Sequence, residues 1–214
     1  MNGDERSDEL LDTFDDSLAA GEPTARSIVH RDGLWHSSFH CLAVRTRPPA
    51  RVLLQRRKRS ARSFPGLLDL TATGHLIAGE DARGGVRELE EEVGIVADAT
   101  ALVPLGRRLI VDGAGEGLNR EIVHAFLLPT DQPLESFDLR GRDADGLIEI
   151  SVADLLRLLG DSAERAVVRE LDAQGKITSL LIGVGDLVPP VDGYWTVVAV
   201  MAERFVAGQQ PLAI

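Results

Sequence analysis

The run of residues 74–95 constrains this chain more than any other feature of the sequence. It begins at Gly74 and ends with Arg87–Ile95, which reads Arg-Glu-Leu-Glu-Glu-Glu-Val-Gly-Ile. Glu88, Glu91 and Glu92 are three and four positions apart, so on a helix they are neighbours on one face. Like charges at this spacing repel one another. The pattern therefore favours a helix that holds a divalent cation, because Mg²⁺ and Mn²⁺ prefer carboxylate oxygens as ligands.

The opposite face of the same segment is apolar and has the spacing of a helix that packs onto a core. This stripe consists of Val86, Leu89 and Val93. Gly94 follows at the position where a glycine commonly ends a helix. The sequence predicts a helix over Arg83–Val93 with one buried side and one acidic side. A merely solvated acidic face would explain the excess of glutamate, but it would not explain Gly74 and Glu80.

This run resembles the signature of the Nudix hydrolases, which is Gly, five residues, Glu, seven residues, Arg-Glu, an aliphatic, any residue, Glu-Glu, any residue, Gly and an aliphatic. Gly74 and Glu80 fit the first part, and Arg87–Ile95 fits the second part at every fixed position. Six residues rather than seven separate the two parts. We place the missing residue at Gly84-Gly85, where two glycines weaken the start of a helix. The helix is therefore expected to begin one turn late.

The resemblance covers roughly residues 9–160 and is greatest to the Nudix branch that includes the type I isopentenyl diphosphate isomerases. The matching segments upstream of the run are His30–His36, Leu53–Arg57 and Phe64–Asp69. The isomerases carry a catalytic cysteine where this chain has Thr73. The hydrolase relatives in the branch therefore fit the sequence better than the isomerases do.

The resemblance implies an α/β/α sandwich with a mixed sheet and a hydrolase that cleaves the pyrophosphate linkage of a small organic or nucleoside diphosphate. It also implies Mg²⁺, or Mn²⁺, held by Glu88, Glu91 and Glu92, with Glu91 and Glu92 in catalytic roles. Arg87 is expected to pair with one of these carboxylates. Two alternatives stay open, which are an isopentenyl diphosphate isomerase-like protein and a non-catalytic Nudix-fold protein that binds a metabolite.

The general base and the substrate-binding residues are less well defined by the sequence. An acidic loop carries Asp143, Asp145 and Glu149, and we take Asp143 as the candidate base, with a solvated turn as the alternative. Arg56 opens a basic run that could face the phosphates or could be a solvated loop. His75 lies inside the signature and could approach the substrate.

Histidines and aromatic residues add further candidates. Four histidines could form a metal cluster, namely His30, His36, His40 and His75. They lack a close-spaced ligand motif, so loop hydrogen bonding and packing are the favoured roles. Tyr194 and Trp195 could stack on a ligand, but their place on an apolar C-terminal segment favours a role in the core.

Composition excludes several classes of protein. The net charge of -11 argues against binding to a nucleic-acid backbone or an anionic membrane surface. Cys41 is the only cysteine, so no intrachain disulfide can form. No apolar run reaches the length of a transmembrane helix, and residues 1–9 lack a secretory signal pattern. We expect a cytoplasmic protein whose partner is a small-molecule diphosphate.

The chain of 214 residues is expected to form a loose tail over residues 1–8 and one domain over residues 9–214. The core of the domain spans about residues 28–160, and a helical extension follows over residues 161–214, which could cover the site or form a homodimer surface. Predicted strands are Cys41–Thr46, Arg51–Arg56, Arg107–Val111, Glu121–Leu128 and Leu147–Ile150, with a glycine-rich turn at Asp112–Gly117. Predicted later helices are Val152–Leu159, Ala163–Leu171 and Gly193–Ala207.

Overall fold

The structure is a computed structural model that describes residues 9–115, 117–189 and 192–214. The predicted tail at residues 1–8 and one residue of the predicted glycine-rich turn lie outside the described residues. The helices are α1 (Arg26–Asp32), α2 (Arg87–Val93), α3 (Val152–Gly160) and α4 (Tyr194–Val206). The strands are β1 (Leu10–Leu11), β2 (Thr13–Phe14), β3 (Thr24–Ala25), β4 (Trp35–Arg45), β5 (Arg51–Arg57), β6 (Leu68–Asp69), β7 (Ala72–His75), β8 (Val103–Gly115), β9 (Gly117–Pro129), β10 (Ala144–Ser151), β11 (Ala166–Asp172) and β12 (Ile177–Ile182).

A mixed sheet runs through the molecule and carries helices on both faces, which confirms the predicted α/β/α sandwich. Its strands follow the order β12-β11-β10-β5-β4-β9-β8, and the short strands β2 and β7 add to β4. The pair of β4 and β9 is parallel, while the other pairs are antiparallel. Among the described residues, no helix is long and apolar enough to cross a membrane.

Alternation along β4 divides the core into two layers, since successive side chains of a strand point to opposite faces. Phe39 and Cys41 join the layer beneath α2, where Leu89 and Val93 are fully buried. Leu42 joins the layer beneath α3 and α4 on the other face. The apolar stripe predicted for α2 is thus the surface that packs this helix onto the sheet.

The start of α2 shows how the chain accommodates its short signature. A single 3-10 turn at Gly84–Val86 precedes α2, so the helix begins late, as predicted. A side chain at Gly85 would overlap the ring of Phe39, so glycine lets this turn lie directly on β4. Gly94 then ends the helix in a left-handed conformation with φ 74°.

The region after residue 160 differs from the prediction, because it is not a helical extension. The segment predicted as the helix Ala163–Leu171 contains β11, which pairs with β10 and β12 and widens the sheet. Val167 is 71% exposed and Val168 is 2% exposed, which is the alternation of a strand. A short apolar run fits the repeat of a helix and the repeat of a strand equally well. The β-branched valines favour the strand. The final helix α4 is present as predicted.

The segment predicted as a glycine-rich turn is largely strand. Its residues 112–115 lie in β8 and Gly117 begins β9, and these two strands pair. The other predicted strands and the helix Val152–Leu159 lie within β4, β5, β8, β9, β10 and α3, except that β4 ends at Arg45, one residue before the predicted end.

The contact between Gly85 and Phe39 generates a test of the fold. Gly85→Ala should lower the free energy of unfolding by about 1–3 kcal/mol, because an added methyl group must displace a packed ring. Urea denaturation monitored by circular dichroism measures this change. Gly160→Ala is the matched control, because its new methyl group would meet no atom within 4 Å. It should change stability by less than ~0.5 kcal/mol, and an equal loss in both variants would contradict the packing argument.

Candidate active site

The three carboxylates of α2 that the sequence proposes as metal ligands lie in two different environments. Glu88 and Glu92 are buried, with 4% and 8% of their surfaces exposed, whereas the Glu91 side chain is 44% exposed. Glu88 lies against Gly74 of β7, and a side chain at Gly74 would overlap its carboxylate. The glycine that opens the signature therefore leaves the space that Glu88 occupies.

Arg87 joins the parts of the signature through one guanidinium group. Its Nη1 donates to Glu88 at 2.7 Å and lies 3.3 Å from Glu91. Its Nε donates to Glu80 at 3.1 Å, and its Nη2 donates to the carbonyl oxygen of His75 at 2.8 Å. The expected pairing of Arg87 with the carboxylates is confirmed, and Glu80 reaches the cluster despite the short spacing.

Glu92 is held through one of its two oxygens. Its Oε2 accepts hydrogen bonds from Gln55 Nε2 and from the backbone N–H of Thr73, each at 2.7 Å. Burial, and then the nearby charge of Glu88, raise the pKa of Glu92 well above its usual range. Two neighbouring buried carboxylates with hard oxygen donors fit a divalent cation, which would offset both effects.

Arg57, rather than Arg56, lies beside these carboxylates. Arg57 donates to Asp69 at 2.9 Å, and its charge acts on Glu92 by lowering the pKa of that carboxyl. Arg56 instead pairs with Glu170 and donates to the carbonyl oxygen of Gly66. The preference for Arg56 in the sequence is corrected here, because consecutive residues of β5 point to opposite faces of the sheet.

The sequence places three candidate bases in an acidic loop, but Asp145 and Glu149 lie in β10, and only Asp143 precedes that strand and lies next to α2. Asp143 pairs with Lys58 at 2.9 Å, and its backbone N–H donates to the carbonyl oxygen of Glu91 at 3.1 Å. Asp145 instead accepts from the backbone N–H of Arg59 at 2.9 Å. Glu149 is buried and pairs with arginines of neighbouring strands, which is a structural role.

Three histidines from different elements meet in a second cluster. His30 of α1, His36 of β4 and His75 of β7 have potential ligand atoms within 4.8 Å of one another. Burial lowers the pKa of all three imidazoles, that of His30 to about 4, so they are neutral at pH 7. Neutral imidazole is the form that binds metals. The sequence favours loop hydrogen bonding and packing for these histidines, and His36 Nδ1 does lie 2.9 Å from the carbonyl oxygen of Leu34, but that contact does not account for the convergence of the three rings.

Glu121 of β9 lies beside the histidine cluster and was missed by sequence reasoning. Its carboxylate accepts from Ser38 at 2.9 Å and from Asn119 at 2.7 Å, and His40 Nε2 is 3.8 Å away. Burial opposes ionisation of Glu121, but the histidines and Asn119 outweigh it and lower its pKa to about 2. The signal available in the sequence is weak, because Glu121 is one of several polar residues of β9 and is its only acidic one.

A cavity of about 450 Å³ lies on the face of the sheet that carries α2. Apolar side chains line it together with Arg107, His124 and Glu80, the residue that Arg87 ties to the cluster. The cavity is separate from the histidine cluster, because His124 and Ile122 point to the opposite face of β9 from Glu121.

Comparisons with known proteins identify the family of the chain. The family model described as the NUDIX domain matches residues 35–171. An uncharacterized Nudix hydrolase of Clostridium acetobutylicum is 32% identical over 197 residues, which cover 89% of this chain and 95% of that protein. Nudix hydrolase 3 of Arabidopsis thaliana is 31% identical over 143 residues, covering 63% of this chain and 18% of that protein.

A crystal structure of a Deinococcus radiodurans protein is similar in fold. It superposes with a TM-score of 0.53 at 17% identity, covering 71% of this chain and 89% of that chain. At this level of identity the likeness concerns the fold.

The contacts of Arg87 generate a prediction about stability. Arg87→Met should lower the free energy of unfolding by about 2–4 kcal/mol, because Glu88 would stay buried without its guanidinium partner. Adding Glu88→Gln to this variant should restore about half of the loss, since the neutral amide removes the buried charge that Arg87 no longer offsets. Urea denaturation in metal-free buffer measures both variants. A loss in the double variant equal to the sum of the losses from the two single changes would contradict the proposed coupling of the two side chains.

Proposed function

The chain belongs to the Nudix family of hydrolases, and from this premise we propose that it hydrolyses the pyrophosphate linkage of a small organic or nucleoside diphosphate with the help of a divalent cation. The observation that carries the proposal is the pair of neighbouring buried carboxylates on α2, Glu88 and Glu92. Arg87 offsets the charge of Glu88, and a second carboxylate buried beside it costs folding free energy unless a cation or a proton neutralises it.

We assign Glu88, Glu91 and Glu92 as the residues that would hold Mg²⁺ or Mn²⁺. When bound, the cation would neutralise charge on the phosphates and lower the pKa of a water molecule. Gln55 and the Thr73 N–H fix one oxygen of Glu92, which leaves its other oxygen for a ligand.

The remaining roles follow from the positions of the side chains. Arg87 orients Glu88 and Glu91, so its catalytic contribution is to hold their carboxylates in place. Asp143 is our candidate for the general base that accepts the proton of the attacking water, and its backbone bond to Glu91 keeps it at the end of α2. Arg57 replaces Arg56 as the proposed phosphate-binding residue.

Two alternatives are less well supported. An isomerase of the isopentenyl diphosphate type would use a thiol where Thr73 stands, and a threonine hydroxyl is a far weaker acid than a thiol. A non-catalytic binding protein would have no need for two adjacent buried carboxylates. The position of Glu92, held by both Gln55 and Thr73, supports the hydrolase instead.

We also propose that His30, His36 and His75 bind a second divalent metal ion, with Glu121 available as a carboxylate ligand. Imidazole nitrogens suit transition metals such as Zn²⁺ better than Mg²⁺. Nε2 of His36 and Nε2 of His75 are buried and have no hydrogen-bond partner among the described residues. His75, which the sequence suggested as a substrate contact, is thereby assigned to this metal instead.

Hydrolysis tests the first proposal. With Mg²⁺ and a panel of nucleoside diphosphates, dinucleotides, nucleotide sugars and prenyl diphosphates, the protein should release phosphate-containing products. Glu92→Gln should lower kcat/KM by on the order of 10²-fold or more, because it removes a charged ligand. Glu90→Gln is the matched control, since Glu90 lies exposed on the same helix and should change the rate by less than about twofold. Equal effects of the two changes would refute the assignment.

Metal content tests the second proposal. The purified protein, dialysed against Zn²⁺ and then against buffer, should retain about one metal ion per chain at this site, as measured by mass spectrometry. His36→Gln should abolish this retention, whereas His124→Gln, on the α2 face of β9, should leave it unchanged. Retention that survives His36→Gln would contradict a site built from the three histidines.

A further inference from the structure

The cavity of about 450 Å³ adjoins β8, β9 and the loop before α2, and neither proposed metal site uses it. Cavities that bind small molecules have volumes of about 300–1,000 Å³. Much of the wall is apolar, with Leu109 of β8, Ile122 of β9, Leu76 of the loop and Phe14 of β2 among its side chains. The cavity is therefore large enough for a small molecule and suited to a hydrocarbon group.

Arg107 and His124 are the basic side chains of this cavity. They lie directly opposite each other on β8 and β9, so both side chains lie on the face of the sheet that the cavity occupies. The Arg107 side chain pairs with no other described residue, and the His124 imidazole has no hydrogen-bond partner among those residues. Burial, and then the charge of Arg107, lower the pKa of His124, so this imidazole is neutral at pH 7.

The two carboxylates that line the cavity are already bound by the protein. Glu80 accepts a hydrogen bond from Nε of Arg87 at 3.1 Å. Asp12 accepts one from the backbone N–H of Gly79 at 2.8 Å. Among the described residues, neither carboxylate forms an ion pair with Arg107. The charged lining group that the fold leaves unpaired is therefore a cation, and the ligand group that complements it is an anion.

The chemistry of this pair selects the kind of anion. A guanidinium group presents a planar fork of donors that matches the oxygens of a carboxylate or a phosphate. A neutral imidazole can donate one more hydrogen bond to the same group. The apolar wall complements a hydrocarbon group attached to the anion, because burial removes that group from water.

We propose that this cavity binds an amphipathic anion, which is a carboxylate or a phosphate attached to an apolar organic group. The anion faces Arg107 and His124, and the apolar group packs against Leu109 and Ile122. The proposal goes beyond the hydrolase function and does not require catalysis. Two sources share this chemistry, namely a separate small molecule and the organic end of a substrate held at α2, since Glu80 lines the cavity and is bound by Arg87.

Titration calorimetry of the full chain with octanoate, octyl phosphate and neutral octanol tests the site. Both anions should bind at least about tenfold more tightly than octanol, because only they pair with Arg107. Arg107→Gln should weaken binding of the anions by about tenfold and leave binding of octanol unchanged. Failure of both anions to bind, or equal binding of octanol, would overturn the proposal.

Arg62→Gln is the matched control, because Arg62 is another exposed arginine whose side chain pairs with no other described residue. It removes the same charge outside the cavity and should change binding of octanoate by less than about twofold. Equal effects of Arg62→Gln and Arg107→Gln would reduce the binding to general electrostatic attraction and would overturn the site.

Ala82→Leu tests the location of the ligand without changing any charge, since Ala82 lines the cavity. The larger side chain should occupy part of the cavity and weaken binding of octanoate by about tenfold. Unchanged binding of octanoate in this variant would place the ligand elsewhere and overturn the proposal.

A kinetic experiment distinguishes the two sources of the ligand. Octanoate that raises the KM of the best substrate of the hydrolysis panel would support the site as the place of the organic end of the substrate. Octanoate that binds without changing KM would support it as the site of a separate molecule. Absence of turnover would count against the hydrolase function alone, because the titrations need no catalysis.

Discussion

The structure depends on the guanidinium group of Arg87, because it reaches Glu80, Glu88 and Glu91 together. These carboxylates come from the loop and from the helix of the signature, and Arg87 also binds the backbone of β7 through His75. One planar group with several donors can satisfy such a set, which a lysine could not do. The contacts of one side chain thus hold the loop, the helix and the strand together.

Local features of the site could be predicted from the sequence, because they depend on neighbours along the chain. The spacing of Glu88, Glu91 and Glu92 and the two glycines before Val86 fixed the acidic face and the late start of α2. The choice between Arg56 and Arg57 could not be predicted, because it depends on which face of β5 meets α2. The sequence predicts a helix near Val168, because a short apolar run fits the repeat of a helix and that of a strand. Only the pairing of neighbouring strands decides between them.

Features built from distant segments are harder to predict, because the sequence offers His30, His36 and His75 among four candidate histidines but does not show which of them meet. His30, His36 and His75 come from three elements, and only the pairing of β4 with β7 brings two of them together. Glu121 joins them through the parallel pairing of β9 with β4, in which it lies directly opposite His36. Nothing in the spacing of these residues along the chain encodes that pairing, so the cluster emerges only with the sheet.

The burial of Glu88 beside Glu92 has a consequence for the lifetime of the protein in a cell. If a cation relieves their repulsion, it binds the folded chain more tightly than the unfolded chain, so folding and cation binding are thermodynamically linked. The fraction of molecules that open transiently, and so become accessible to proteases, would then rise as the free cation concentration falls. In that case the abundance of the protein would follow the supply of the ion it needs.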